Sequence, residues 1–129
     1  MNFYINFKNK SRGDHHKWRK IKIPNVKKLS WFEKGIGLMF SSRKKAKALL
    51  FEFEKPTKMS YTSLFVFFPF IIIWLDSKNE VIDFKKINPF TFNIPSLKYY
   101  RKVLEVPFNN NYEGIIKKLL NSRRQNIYK

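Results

Sequence analysis

Asp14, His15 and His16 stand side by side in "SRGDHHKWRK", the stretch of the sequence most suggestive of metal or acid–base chemistry. An imidazole titrates near neutral pH and is a common zinc ligand. Neighbouring residues of an extended chain point to opposite sides, and the chain holds no third histidine to complete a site. We therefore expect no metal and no cofactor, with the two imidazoles acting as supplementary cations beside phosphate. Among the carboxylates, Glu52 and Glu54 share one face of a strand pattern, Asp76 opens a turn, and Glu105 sits in "VLEVP". A hydrolytic pair would need two of them across one cleft, about 5 to 10 Å apart. Salt bridges to the abundant lysines are the simpler expectation. The single Gly-x-Gly of "EKGIGLMF" lacks a third glycine and a strand-to-helix setting, "SSRKK" lacks the glycines of a phosphate loop, and Ser41 and Ser42 lie in no nucleophile elbow. No catalytic residue emerges, and a non-enzymatic protein is expected.

Charge is the dominant feature: 27 Lys and Arg against 9 Asp and Glu give a net +18 over 129 residues. It is unevenly placed. Residues 1 to 47 contribute +12, residues 48 to 113 only +1, and residues 114 to 129 the remaining +5. Like charges within a Debye length of about 8 Å repel unless counter-charge arrives, so an anionic partner is expected. The absence of cysteine excludes a disulfide framework, a thiolate zinc site and a cysteine nucleophile, and fits a reducing compartment. No signal-peptide pattern opens the sequence, and the longest apolar run, "LFVFFPFIIIWL", is short of the ~20 residues of a spanning helix and contains Pro69. The reading is a cytoplasmic protein with no membrane partner.

The elements that must carry these residues read as mostly β. "NFYINF" alternates as a short strand, and the basic stretch from residue 8 to 28, interrupted by Gly13 and Pro24, reads as an irregular arm. Strand patterns follow at 46–54, 61–68, 70–76, 80–87 and 101–108, rich in β-branched and aromatic residues and punctuated by turn residues. "FIIIWLDSKNEVIDF" is the clearest hairpin. Ile115, Ile116, Leu119 and Leu120 form one helical stripe, with Asn111 placed to cap it and Glu113 in its first turn. The expected fold is a small β-sandwich of jelly-roll type with an irregular basic N-terminal arm and a short C-terminal helix, divided into an arm over 1–28 and one β domain over 29–129. The aromatics Phe65, Phe67, Phe68, Phe70 and Trp74 fall at strand spacing and are assigned to the core. Trp18, flanked by charge in "KWRK", suits either stacking on a base or anchoring the arm to the domain. Trp31 and Phe32 lean toward packing.

From Gly37 onward the ordered pieces "GLMF", "LLFEFEKP", "FVFFPFIIIWLDSKNEVIDF", "NPF" and "YYRKVLEVP" resemble the domain of unknown function 192 family over about residues 29–108. The resemblance implies a compact jelly-roll-like β domain and assigns no activity. It also draws attention to Glu105, which belongs to the family pattern. Relatives often carry a carboxylate just after the proline of the "FFP" piece, where this chain has Phe70 and Ile71, and the small-residue and Gly-Asp pattern that often closes the domain is replaced here by "FNNNYEGIIKKLLNSRRQN". The basic arm and the C-terminal helix fall outside the resemblance.

The expectation drawn from these observations is an RNA-binding protein, ribosomal or ribosome-associated, whose termini meet rRNA phosphates with neighbouring ribosomal proteins as further partners. Extended basic arms neutralise phosphate in narrow RNA clefts and order as they bind. The contact residues named are Arg12, Lys17, Trp18, Arg19, Lys20 and Lys22 in the arm, Arg43, Lys44, Lys45 and Lys47 after "GLMF", and Lys117, Lys118, Arg123 and Arg124 at the end. The alternative is a small-ligand-binding or hydrolytic β domain with a polar pocket near Glu105. Attachment to an anionic membrane is the weakest reading, because residues 8–28 lack an amphipathic apolar face.

Overall fold

The computed structural model describes residues 1–10, 16–29, 42–61, 66–91 and 93–127, and the side chains of these except 9, 10, 16, 17 and 123–127. Among the described residues seven strands and one helix follow in the order β1 (Phe3–Lys10), β2 (His16–Ile23), β3 (Lys27–Lys28), β4 (Leu49–Thr57), β5 (Phe70–Leu75), β6 (Val81–Ile87), β7 (Tyr100–Pro107) and α1 (Glu113–Ile127). β1 and β2 form an antiparallel two-stranded sheet, and the others a five-stranded sheet in the order β3-β4-β7-β5-β6. β3 runs parallel to β4, while β4–β7, β7–β5 and β5–β6 are antiparallel. The chain is thus a small, mostly β, sandwich-like domain.

The apolar pattern of each strand explains its place. β5, "FIIIWL", is buried at every position, as suits a strand covered on both faces. Ile71, Ile73 and Leu75 face one side with Leu50, Leu104 and Val106, and that first face is covered by Phe3, Ile5, Phe7 and Ile23 of the hairpin and by Tyr112, Ile116 and Leu119 of the helix region. Phe70, Ile72 and Trp74 face the other side with Leu49, Phe51 and Val103, covered by Leu29, Ala46, Val66, Phe68 and Ile94. The edge strand β6 carries Asp83, Lys85 and Lys86, charges that discourage pairing with a further strand.

The expected hairpin at 70–87 is formed. Asp76 Oδ1 accepts from the backbone N–H of Lys78 and of Glu80, both at 2.9 Å, and Asn79 takes the left-handed conformation (φ 63°) that asparagine tolerates. The strand expected over 61–68 is not formed at its described end. Val66 and Phe68 are buried against the second face without joining the sheet, and Tyr61 makes only an isolated bridge with Ile94. The helix begins where its stripe predicts, but Tyr112 rather than Asn111 occupies the cap position. The Tyr112 carbonyl accepts from Ile116 N–H, and the preceding turn is held by Asn109 Oδ1, which accepts from Asn111 N–H.

The largest departure concerns the arm. The described residues of 8–28 are not an irregular tail: Phe3 pairs with Ile23, Ile5 with Ile21 and Phe7 with Arg19 along one antiparallel ladder between residues 3–10 and 16–23. Alternation drives it, because Phe3, Ile5, Phe7, Ile21 and Ile23 fall on one side of the ribbon and can be buried only if both strands pair and dock. Phe7 meets Phe84 of β6 edge-on at 5.7 Å, and Met1 and Val26 exchange backbone hydrogen bonds that close the ribbon's base.

Candidate nucleic-acid interface

Docking the apolar side of the hairpin turns its other side to solvent. Cross-strand partners share a face, so the register Tyr4–Lys22, Asn6–Lys20 and Lys8–Trp18 gathers these six residues on the outward face. Tyr4 is 44% and Trp18 48% exposed, which is large for aromatic rings in a folded body. Each ring is overlain by a lysine: Lys8 Nζ lies 5.5 Å from the Trp18 ring centre and Lys20 Nζ 5.1 Å from that of Tyr4. These cation–π contacts hold ammonium groups beside the rings instead of letting them splay apart. Among the described residues no carboxylate pairs with Lys8, Arg19, Lys20 or Lys22. Asn6 binds the Lys78 carbonyl through Nδ2 and accepts no part in this cationic row, fixing the ribbon to the β5–β6 turn instead.

The residues expected to contact RNA fall into three groups. Trp18, Lys20 and Lys22 share the outward face of the ribbon, Arg19 is exposed on its other side beyond the covered core, and Lys17 is in β2 with its side chain outside the described set; Arg12 lies outside the described residues. Trp18 is therefore no anchor. Lys44, Lys45 and Lys47 are exposed beside the buried Ala46 and Ala48, and Arg43 donates through Nε to the Phe108 carbonyl at 2.7 Å. Lys117 pairs with Glu113 at 3.3 Å, Lys118 is exposed, and Arg123 and Arg124 belong to α1 with side chains outside the described set. Arg43 and Lys117 meet at an open cleft of about 380 Å³ with Phe108, Asn109, Glu113 and Ile116. Trp31 and Phe32 lie outside the described residues.

Tyr4 was not among the residues the sequence reading singled out. Its signal was present in "NFYINF", where burying Phe3, Ile5 and Phe7 obliges Tyr4 to face out. Because hairpin and helix cover the same face of the five-stranded sheet, the solvent sides of both form one side of the molecule.

The second face of the sheet holds a different cluster. Glu105 lies between Leu49 of β4 and Ile72 of β5, 5% exposed, and burial raises its carboxyl to about 8. No ion pair or hydrogen bond to it forms among the described residues, unlike Glu52, which pairs with Lys28 at 2.9 Å. Two more buried polar atoms on this side, the Tyr61 hydroxyl and Trp74 Nε1, have no hydrogen-bond partner within geometric reach among the described residues. Burial, and after it the nearby Tyr100 phenol and Glu105, push the Tyr61 hydroxyl above the ordinary phenol range. Tyr100 is satisfied, donating to the Met59 carbonyl at 2.7 Å. Phe70, which follows the proline of the "FFP" piece, is fully buried in the core.

Comparison with known proteins agrees with this architecture. The family described as Uncharacterized ACR, COG1430 (DUF192) matches residues 14–117. The chain belongs to this DUF192 family. The match reaches further than the pieces from "GLMF" to "VLEVP" suggest, taking in β2 of the basic hairpin and the first turn of α1, so neither is an addition lying wholly outside the family's domain. No curated protein matches the sequence. Two solved structures are similar in fold. One is a protein of unknown function from Novosphingobium aromaticivorans DSM 12444, at 15% identity over 81% of this chain and 73% of that one, with a TM-score of 0.59. The other, from Sinorhizobium meliloti 1021, is described as a "putative transcription regulator", at 14% identity over 89% of this chain and 86% of that one, with a TM-score of 0.62. At such identities the likeness concerns the fold alone.

Proposed function

We propose that this DUF192 protein is a non-enzymatic, cytoplasmic RNA-binding protein whose outward hairpin face, seconded by the basic residues at 43–47 and on α1, contacts RNA phosphates. The observation that carries the reading is the ribbon: Lys8, Lys20 and Lys22 interleaved with Tyr4 and Trp18 on one side, none paired with a carboxylate among the described residues. A row of ammonium groups binds phosphate by releasing condensed counterions, and exposed rings beside it suit bases. Because the basic N-terminal stretch is a docked platform and not a free arm, the proposed contact is a surface presented to RNA rather than a tail threaded into it. An rRNA segment in a ribosomal particle, beside ribosomal proteins, is the first partner to examine.

The test is to purify the protein from its own cells at low salt, identify the RNA that sediments with it, and repeat at rising salt. Engaging the three ribbon lysines alone gives a slope of log K against log salt of about −2 on a single strand, steeper as residues 43–47 and α1 join. Sedimentation free of RNA at low salt, or binding that ignores salt, overturns the proposal.

A second reading, a small-ligand-binding domain, is favoured by one observation: Glu105, Tyr61 and Trp74 bring three buried polar groups without described partners to the second face of the sheet. A protonated carboxyl, a phenol and an indole N–H would together suit a small neutral ligand rich in acceptors. Thermal stabilisation by such a compound, lost in Glu105→Gln, would support it.

A further inference from the structure

Resting on the RNA-binding reading, we infer that the hairpin's outward face is a site for single-stranded RNA in which Trp18 and Tyr4 each stack on one splayed base and Lys8, Lys20 and Lys22 hold the flanking phosphates. The juxtaposition follows from the register. Trp18 stands opposite Lys8, and Tyr4 lies four residues from Lys8 on the same strand and the same face. At a rise of about 3.4 Å per residue the two rings are roughly 13 Å apart. Bases stacked in a nucleic-acid strand repeat every ~3.4 Å, so no intact stack offers two flat faces to both rings. Unpaired bases turned out of the stack do, and this is how aromatic side chains read single-stranded RNA.

The lysines complete the site. Lys8 and Lys20 already lie against the rings, at 5.5 and 5.1 Å, which sets each ammonium beside the phosphate of a nucleotide whose base rests on the ring's open side. Lys22 extends the row past Tyr4, its cross-strand partner. Duplex RNA would meet only the lysines, since its base faces are covered by neighbouring pairs. An anionic membrane suits the face less well, because no aliphatic side chain accompanies Tyr4, Asn6, Lys8, Trp18, Lys20 and Lys22 to enter the acyl region.

The experiment measures binding of the full-length chain to a labelled oligouridylate, to an RNA duplex of equal length and to phosphatidylserine vesicles, for wild type, W18A, W18F, Y4A and a Lys20→Ala, Lys22→Ala double variant. All the altered side chains face solvent, and unchanged thermal unfolding confirms folding. Loss of one stacked base weakens single-strand affinity on the order of ten-fold, so W18A and Y4A each lose about that much, W18F loses less, and duplex affinity stays level. The lysine variant weakens both RNAs and flattens the salt slope by about 1.4 on the single strand, from 0.7 per phosphate. Single-strand affinity indifferent to W18A and Y4A, with the lysine effect intact, overturns the stacking inference while leaving phosphate binding standing. A duplex bound more tightly than the oligouridylate, or vesicles bound more tightly than either RNA, also overturns it. Failure to bind any RNA at low salt overturns the RNA-binding reading itself.

Discussion

Replacing Glu105 by glutamine keeps the size of the side chain and removes its ionisation, and the consequence depends on pH in a calculable way. In the unfolded chain the carboxyl titrates at its ordinary 4.5; burial between β4 and β5 raises it to about 8 in the folded protein. From 4.5 up to about 8, therefore, the folded state keeps a proton that the unfolded state releases. The stability contributed by this group is complete below 4.5 and declines as pH rises, by about 1.4 kcal/mol for each pH unit. At pH 7 the accumulated loss is roughly 3 kcal/mol, a large share of the 5 to 15 kcal/mol typical of a domain. Glu105→Gln escapes that loss. We expect the variant to be slightly more stable than wild type at pH 5.5 and more so at pH 7.5, the gap widening by roughly 2 to 3 kcal/mol. Urea unfolding followed by circular dichroism at the two pH values, at one ionic strength, measures it. Other titrating groups shift both proteins equally and cancel in the difference. A gap that does not change with pH, or a variant less stable throughout, would show that Glu105 is ionised and paired in the folded protein, and would refute the reasoning.

Other outcomes follow from single contacts. The Tyr112 hydroxyl accepts from Ala48 N–H at 2.9 Å and donates to the Asn25 carbonyl at 3.2 Å, tying the start of α1 to β4 and the hairpin; Tyr112→Phe strands a buried N–H and should cost about 1 to 3 kcal/mol in urea unfolding. Phe7→Ala, which empties the hairpin's contact with Phe84, should cost about 3 to 5 kcal/mol, whereas an undocked arm would make it silent. At the β5–β6 turn, Asn79→Gly keeps the left-handed backbone (φ 63°) but loses the acceptor for Lys102 Nζ, whereas Asn79→Val forces a branched side chain into that conformation; thermal unfolding should rank valine clearly below glycine.

Much of the fold was legible because burial leaves a local imprint. "FIIIWL" and "EVIDF" read as the two strands of a hairpin, Asp76 and Asn79 had the chemistry of the turn they make, and the stripe from Ile115 to Leu120 had the period of a helix. The 61–68 run misled for the same reason it attracted attention: Val66 and Phe68 are buried, but as a cover over the second face, while Phe67 between them is 59% exposed, and burial alone does not distinguish a strand from a lid. In the arm, the apolar alternation of Phe3, Ile5 and Phe7 and of Ile21 and Ile23 was visible on each side of Gly13, while the density of lysine between them suggested that no core could form.

The separation of charge into two basic ends and a near-neutral middle is a property of composition along the chain, and no folding could change it. Which of those charges stand together was decided by tertiary structure. Strand pairing sets alternate residues on opposite sides, and docking the apolar side on Phe84 and Ile71 leaves Tyr4, Lys8, Trp18, Lys20 and Lys22 together in water, a grouping of residues up to eighteen positions apart that only the register creates. Glu105 shows the same division: its place in "VLEVP" was plain, but the proton it holds comes from the neighbours that exclude water from it, and those neighbours are supplied by strands distant in sequence.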